Sequence, residues 1–192
     1  VLGTAGCRSV EPGAVRASRP AEPTADATAQ QRLHRALLSA AELPLGFEPQ
    51  DTVEASAIGC AGIDRLYLAP GSTGRATVAF VHTITHSYLN ETVSLQPGAA
   101  AASIAALGRA STECAAFTGA QGVRYRVAAL PGVKRYGQAT AAVRVTAAQR
   151  EARPVDLVAV QLGDRVVVIA NADAGQIDTS LTATVVQRAV DK

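Results

Sequence analysis

The stretch Val155-Asp-Leu-Val-Ala-Val-Gln-Leu-Gly163-Asp164-Arg-Val-Val-Val-Ile-Ala170 decides the fold. Two runs rich in β-branched and aliphatic residues flank a Gly-Asp pair, and such side chains pack well on a pleated surface. A two-residue connection of this kind predicts an antiparallel hairpin, with strands over residues 155–162 and 165–170. Working outward, residues 75–85 alternate, with Val78, Phe80, His82 and Ile84 on one face and Thr77, Ala79, Val81 and Thr83 on the other. Residues 88–95 repeat the pattern with Leu89, Val93 and Leu95 on one face, so these two segments are expected to pair. Residues 123–130 and 139–147 read as strands split by Pro131-Gly132 and a polar loop, and residues 52–69 as two short strand-like pieces around Gly59 and Gly62.

Three helices are expected. Residues 33–41 form the first, with capping-box spacing at Ser39 and Glu42 and a stop at Pro44 and Gly46. The second opens at Pro97-Gly98 and runs to about residue 117, where Ile104, Leu107, Ser111 and Cys114 recur on one face. That places Cys114 toward the core. The third follows an Asp178 cap and turns Leu181, Val185 and Ala189 inward. Adjacent strands with tight turns, interrupted by helices, predict an α+β fold: an antiparallel β-sheet flanked by helices, in a single domain with a disordered N-terminal tether.

Composition bounds the function. The 192 residues are 48% hydrophobic and 18% charged, which suits a packed domain. Forty alanines against three Phe, four Tyr and no Trp predict a core of small side chains. A net charge of +2 excludes a generally basic nucleic-acid binder, and no apolar run approaches the ~18–20 residues of a membrane span. Charge is nonetheless uneven. Residues 121–153 hold seven basic side chains against Glu151 alone, whereas residues 36–120 hold three basic and seven acidic ones. Arg124 and Arg126 share one strand face. The basic segment therefore reads either as a patch for anionic lipid, polysaccharide or ligand, or as a solvated outer face of the sheet.

The three cysteines, Cys7, Cys60 and Cys114, differ in setting. The sequence has no Met, as expected of a chain that begins downstream of its start codon. Thr4-Ala5-Gly6-Cys7 resembles the lipobox of a bacterial lipoprotein signal peptide, with Thr4 where Leu is usual, and is followed by a stretch rich in Ala, Pro, Glu and Arg. The resemblance implies that residues 1–6 are a signal remnant, Cys7 is lipidated, residues 7–31 are a flexible tether and residues 32–192 are the extracytoplasmic domain. Two or more acyl chains on such a Cys give stable membrane anchoring. With Cys7 assigned, Cys60 and Cys114 form an even pair, expected as a disulfide in an oxidising compartment. Two buried reduced thiols are the alternative.

Chemical constellations are sparse. His82 and His86 have zinc-like spacing for a helix, but on a strand four residues span roughly 13 Å, too far for two imidazoles to share one ion. Asn171-Ala-Asp173-Ala-Gly175 has part of a calcium-loop pattern, yet its Gly falls one place early and Thr182 stands where a bidentate Glu is required. It reads as a loop cap. Gly71-Ser-Thr-Gly74 lacks the Lys of a phosphate loop and reads as a turn. There is no Gly-x-Ser-x-Gly elbow, and pairing and lipidation leave no nucleophilic Cys. Asp64, Glu91 and Asp156 are candidate acid–base groups only as any carboxylate is. No metal, cofactor or catalytic residue is expected.

Several motifs taken together resemble the extracellular sensor domain of actinobacterial serine/threonine protein kinase H and the lipoproteins that share it. They are Leu37-Leu-Ser-Ala-Ala-Glu-Leu-Pro-Leu-Gly-Phe47 with Cys60, then the alanine-rich helix ending Glu113-Cys-Ala-Ala-Phe117, Leu130-Pro-Gly-Val133, and the 155–169 hairpin before a final helix. The resemblance implies an antiparallel sheet flanked by helices, outside the membrane, with a cleft for a small ligand and no catalytic residue. The second disulfide of that sensor domain is absent here. The combined expectation is a lipid-anchored binding or sensing module on the outer face of the cytoplasmic membrane, with a small-molecule, lipid or glycan ligand. The alternatives are a structural lipoprotein that docks an envelope protein and an envelope hydrolase.

Overall fold

The computed structural model describes residues 25–52, 56–119, 122–149, 153–173 and 177–192. Its strands are β1 (Phe47–Gln50), β2 (Gly74–His82), β3 (Tyr88–Leu95), β4 (Ala116–Thr118), β5 (Arg124–Ala129), β6 (Ala139–Ala147), β7 (Val155–Leu162) and β8 (Arg165–Ala172). They form one antiparallel sheet in the order β1-β2-β3-β8-β7-β6-β5-β4. The 155–170 hairpin lies at its middle, turning through Gly163, whose φ of +64° is the left-handed region that favours glycine. Two meanders, β1–β3 and β4–β8, meet where β3 pairs with β8 from Tyr88↔Ala172 to Leu95↔Arg165.

Helices cover both faces of the sheet centre, which explains why the hairpin is apolar at nearly every position. On one face α1 (Ala25–Ala36) and α4 (Thr179–Val190) pack over β2, β3, β7 and β8. Leu33, Phe80, Leu89, Val158, Ile169 and Val185 belong to that core. On the other face α2 (Ala61–Leu68) and α3 (Ala100–Glu113) bury Ile63, Leu66 and Leu107 with Val143, Leu157 and Val168. Asp178 caps α4 as expected, its carboxylate accepting the backbone N–H of Ser180 and Leu181.

Five expectations need correction. The helix expected to run to about residue 117 ends at Glu113, and Ala116–Thr118 form β4 instead. Residues 61–68 are helical, not strand-like: Ile63 and Leu66 fall on one helical face, and Cys60 supplies the extended residue that precedes it. The first helix begins at Ala25, inside the stretch expected to be tether, and ends at Ala36. Ala and Gln favour helix despite the polar composition, and Gln30 Nε2 donates to the Arg75 carbonyl at 2.7 Å, fastening this helix to β2. The Ser39–Glu42 motif serves a separate 3₁₀ turn at Ala40–Glu42, where the Glu42 carboxylate accepts the Ser39 N–H at 2.7 Å. Strand β2 ends at His82, so Ile84, expected on the apolar face, is 81% exposed in the turn to β3. Cys7 and the rest of residues 1–24 lie outside the described residues.

The Cys60–Cys114 disulfide joins the residue preceding α2 to the residue ending α3, with Cα atoms 5.9 Å apart. At the sheet edge, Pro49 of β1 stands opposite Phe80. Glu91 is fully buried on the α1/α4 face, where its Oε2 accepts the Leu38 N–H at 2.6 Å and its Oε1 has no partner among the described residues.

Two stability experiments follow from this core. Closing a 54-residue separation is worth about 4 kcal/mol in the chain-entropy model. Replacing both cysteines by Ser is expected to lower the urea-derived folding free energy by that order, and an unchanged value would contradict the role. Burial raises the Glu91 carboxyl from 4.5 to about 7, against the Leu38 N–H and Lys192, which lower it. The folded chain therefore binds this proton more tightly than the unfolded chain, so stability falls as pH rises through that interval. The loss is expected to be on the order of 3 kcal/mol. Glu91→Gln should flatten this slope, and the same slope in the variant would show that another group causes it.

Candidate functional site

On the second face, α3 packs over β5, β6 and β7 and does not extend across β2 and β3. Helix α2 leans on α3 instead. The contact is close because Gly62 has no side chain: a Cβ there would lie 2.5 Å from the Ala106 carbonyl oxygen. The helix is held by three ties. The disulfide anchors its beginning. The Asp64 carboxylate accepts the backbone N–H groups of Ile58 and Gly59 at 2.8 and 3.0 Å. The Arg75 guanidinium donates through Nη1 to the Tyr67 carbonyl near the C-terminal end. So fixed, α2 stands off the sheet and leaves a cavity of about 340 Å³, within the range of small-ligand sites.

The cavity has two ends of different chemistry. Ile58, Ile63, Val145, Val155 and Leu157 make one end apolar, with Tyr125 beside them. The Tyr125 ring stacks on Phe117, with centroids 5.1 Å apart and planes inclined by 20°. At the other end, β2 contributes Arg75 and Thr77, β3 contributes Tyr88, Asn90 and Thr92, and α2 contributes Tyr67. The Thr77 and Thr92 hydroxyls lie 3.2 Å apart across the strand pair, and Thr92 also donates to Asn90 Oδ1 at 3.3 Å. Burial pushes the Tyr67 phenol well above its ordinary range, opposed by the nearby Arg75 charge, so it stays a hydroxyl donor at neutral pH. This wall is the polar half of the β2 and β3 alternation. Sequence reasoning assigns such a half to solvent, whereas α2 roofs it here.

The candidate carboxylates do not converge. Asp64 lines the cavity and is taken up by the two backbone N–H groups. Glu91 and Asp156 lie on the opposite face of the sheet. Asp156 is fully buried in a two-pronged ion pair with Arg144, at 2.6 and 2.9 Å. His82 is turned to local structure, its Nδ1 accepting the N–H groups of Ile84 and Thr85, and His86 adopts a left-handed φ of 55°. Among the described residues no group of three His, Cys, Asp or Glu side chains is placed to hold a metal ion. Asn171 donates to Thr182 at 2.9 Å and Ser87 to Asp173 at 2.6 Å, whereas residues 174–176 of that loop lie outside the described residues.

The basic segment divides. Arg144 is paired with Asp156, Arg135 donates to the Gln138 carbonyl and Arg153 to that of His86. Arg124 and Arg126 are exposed on the outer part of the sheet, beside strands that α1 and α4 do not cover. Arg150 lies outside the described residues.

No protein-family model matches this sequence, and no curated protein matches it. Among solved structures, the chain is similar to the extracellular domain of PknH from Mycobacterium tuberculosis. The TM-score is 0.61 at 18% sequence identity, and the likeness covers 89% of this chain and 99% of that one. The resemblance drawn from the motifs at 37–47, 113–117 and 155–169 is thus matched by a likeness of fold over most of the chain.

Proposed function

We propose that this domain is a binding or sensing module working outside the cytoplasm, held at the outer face of the cell membrane by lipid on Cys7. The observation that carries the reading is the cavity between α2 and the sheet, polar at one end and apolar at the other. Small-ligand sites combine an apolar lining with a few placed polar groups in this way. The disulfide supports an oxidising compartment, and the fold likeness to an extracellular domain supports the same location. Binding rather than catalysis is favoured because Asp64 and Asp156 are engaged in structural bonds and the three candidate carboxylates are divided between the two faces. One observation favours docking of an envelope protein as a second reading: Arg124 and Arg126 stand exposed on an uncovered part of the sheet.

A ligand specific for the native state raises apparent stability, by about 2.7 kcal/mol at a hundredfold excess over Kd. Thermal denaturation with panels of lipids, glycans and metabolites is therefore expected to show a raised Tm for one chemical class. Thr77→Phe, which puts a ring into the cavity, is expected to abolish that rise. No rise with any class, or an equal rise in the variant, would remove the cavity from the account. The anchor has its own test. Mass spectrometry of the protein from its native host should find a diacylglyceryl group on Cys7, and a wholly unmodified Cys7 would rule the anchor out.

A further inference from the structure

The least balanced group in the cavity wall is Arg75. Its guanidinium has five N–H donors, and among the described residues the bond it forms is the one from Nη1 to the Tyr67 carbonyl. Among the described residues no carboxylate lies within ion-pair distance of it. The acid that shares the cavity, Asp64, already accepts two backbone N–H groups. Taking a charge out of water is costly unless it is paired and hydrogen-bonded. A half-buried cation held in a cavity wall by a helix carbonyl therefore leaves a site for an anion.

The surrounding groups agree with this. Tyr67, Tyr88 and Asn90 line the same cavity, and each carries a group that can donate a hydrogen bond. Asn90 has its oxygen already engaged by Thr92, so what it offers the cavity is its NH₂. A guanidinium with N–H donors still open matches carboxylate or phosphate oxygens, which Arg binds through two parallel N–H bonds. At the opposite end Val145, Val155 and Leu157 present hydrocarbon, with Tyr125 beside them.

We propose that the ligand is an amphiphile with one anionic head, a carboxylate or a phosphate, seated against Arg75 with its apolar body toward Val145, Val155 and Leu157. This rests on the reading of the cavity as a binding site and adds the chemical class of what enters it. The test is calorimetric titration of the domain at neutral pH with octanoate, octyl phosphate, 1-octanol and inorganic phosphate. At least one of the two anionic amphiphiles is expected to bind roughly tenfold or more tightly than 1-octanol, as a charged hydrogen-bonded contact implies. Inorganic phosphate is expected to bind more weakly than octyl phosphate. Arg75→Gln should remove the preference for the anions and leave the affinity for 1-octanol unchanged, and Arg75→Lys should keep part of it.

The comparison among probes on the unaltered protein stands even if a variant fails to fold. Equal affinities for 1-octanol and both anions would overturn the anionic head, as would an Arg75→Gln protein that keeps the preference. Inorganic phosphate binding as tightly as octyl phosphate would overturn the apolar body. Absence of binding by all four probes would overturn the amphiphile altogether. In each of these cases the wider reading of the cavity is decided separately, by the ligand panel and Thr77→Phe.

Discussion

The pairing of β3 with β8 holds the two halves of this chain together. It brings residues 88–95 beside residues 165–172, and without it the first three strands and the last five would be separate meanders. The central position explains the composition of these strands. Val166 and Val168 enter the core beneath α2 and α3, and Val167 and Ile169 enter the one beneath α1 and α4. In β8 neither face is left for polar side chains to meet water, whereas the polar face of β3 lines the cavity. Where polar groups do occur at the centre they are committed, as with the Arg144–Asp156 pair, or incompletely satisfied, as with Glu91 and Asn171. A long-range pairing of this kind also costs loop-closure entropy before it gains contacts. The disulfide reduces a different part of that cost, by joining α2 to the end of α3.

The cavity follows from an asymmetry in how the second face is covered. Helix α3 spans β5 to β7, and α2 is drawn to α3 by small residues, Gly62 against Ala106 and Ala110. The alanine-rich composition thus does more than thin the core. It lets two helices approach closely at one place, and space opens over β2 and β3 as a result. Arg75 serves both parts of this arrangement, since it ties down the end of α2 and charges the wall that the tie creates.

Much of the fold was legible because it is written in periods. The hairpin at 155–170, the alternation of 75–82 and 88–95, the inward face of α3 and the Asp178 cap all follow from side-chain spacing and local chemistry. The misread segments share a cause. In α2, eight residues are too few for a helical period to emerge beside two glycines, and in α1 a polar surface hides good helix propensity. The Cys60–Cys114 pair followed from cysteine arithmetic. The cavity wall did not, because Arg75, Tyr88 and Asn90 occupy the polar half of alternating strands. Only the position of α2, a tertiary fact, distinguishes a roofed polar face from a wetted one.

The ends of the sheet carry a consequence of their own. An open strand edge is a row of unpaired peptide groups that invites another chain to add to it. Here the outermost strands are four and three residues long, and β1 contains Pro49, which has no N–H to offer. Among the described residues the sheet therefore ends in two short strands, and the part of β2 that β1 leaves uncovered, residues 74–78, is met by α1. A domain crowded among copies of itself on a surface would gain from that economy of edge, staying a separate molecule where a longer margin would risk a fibril.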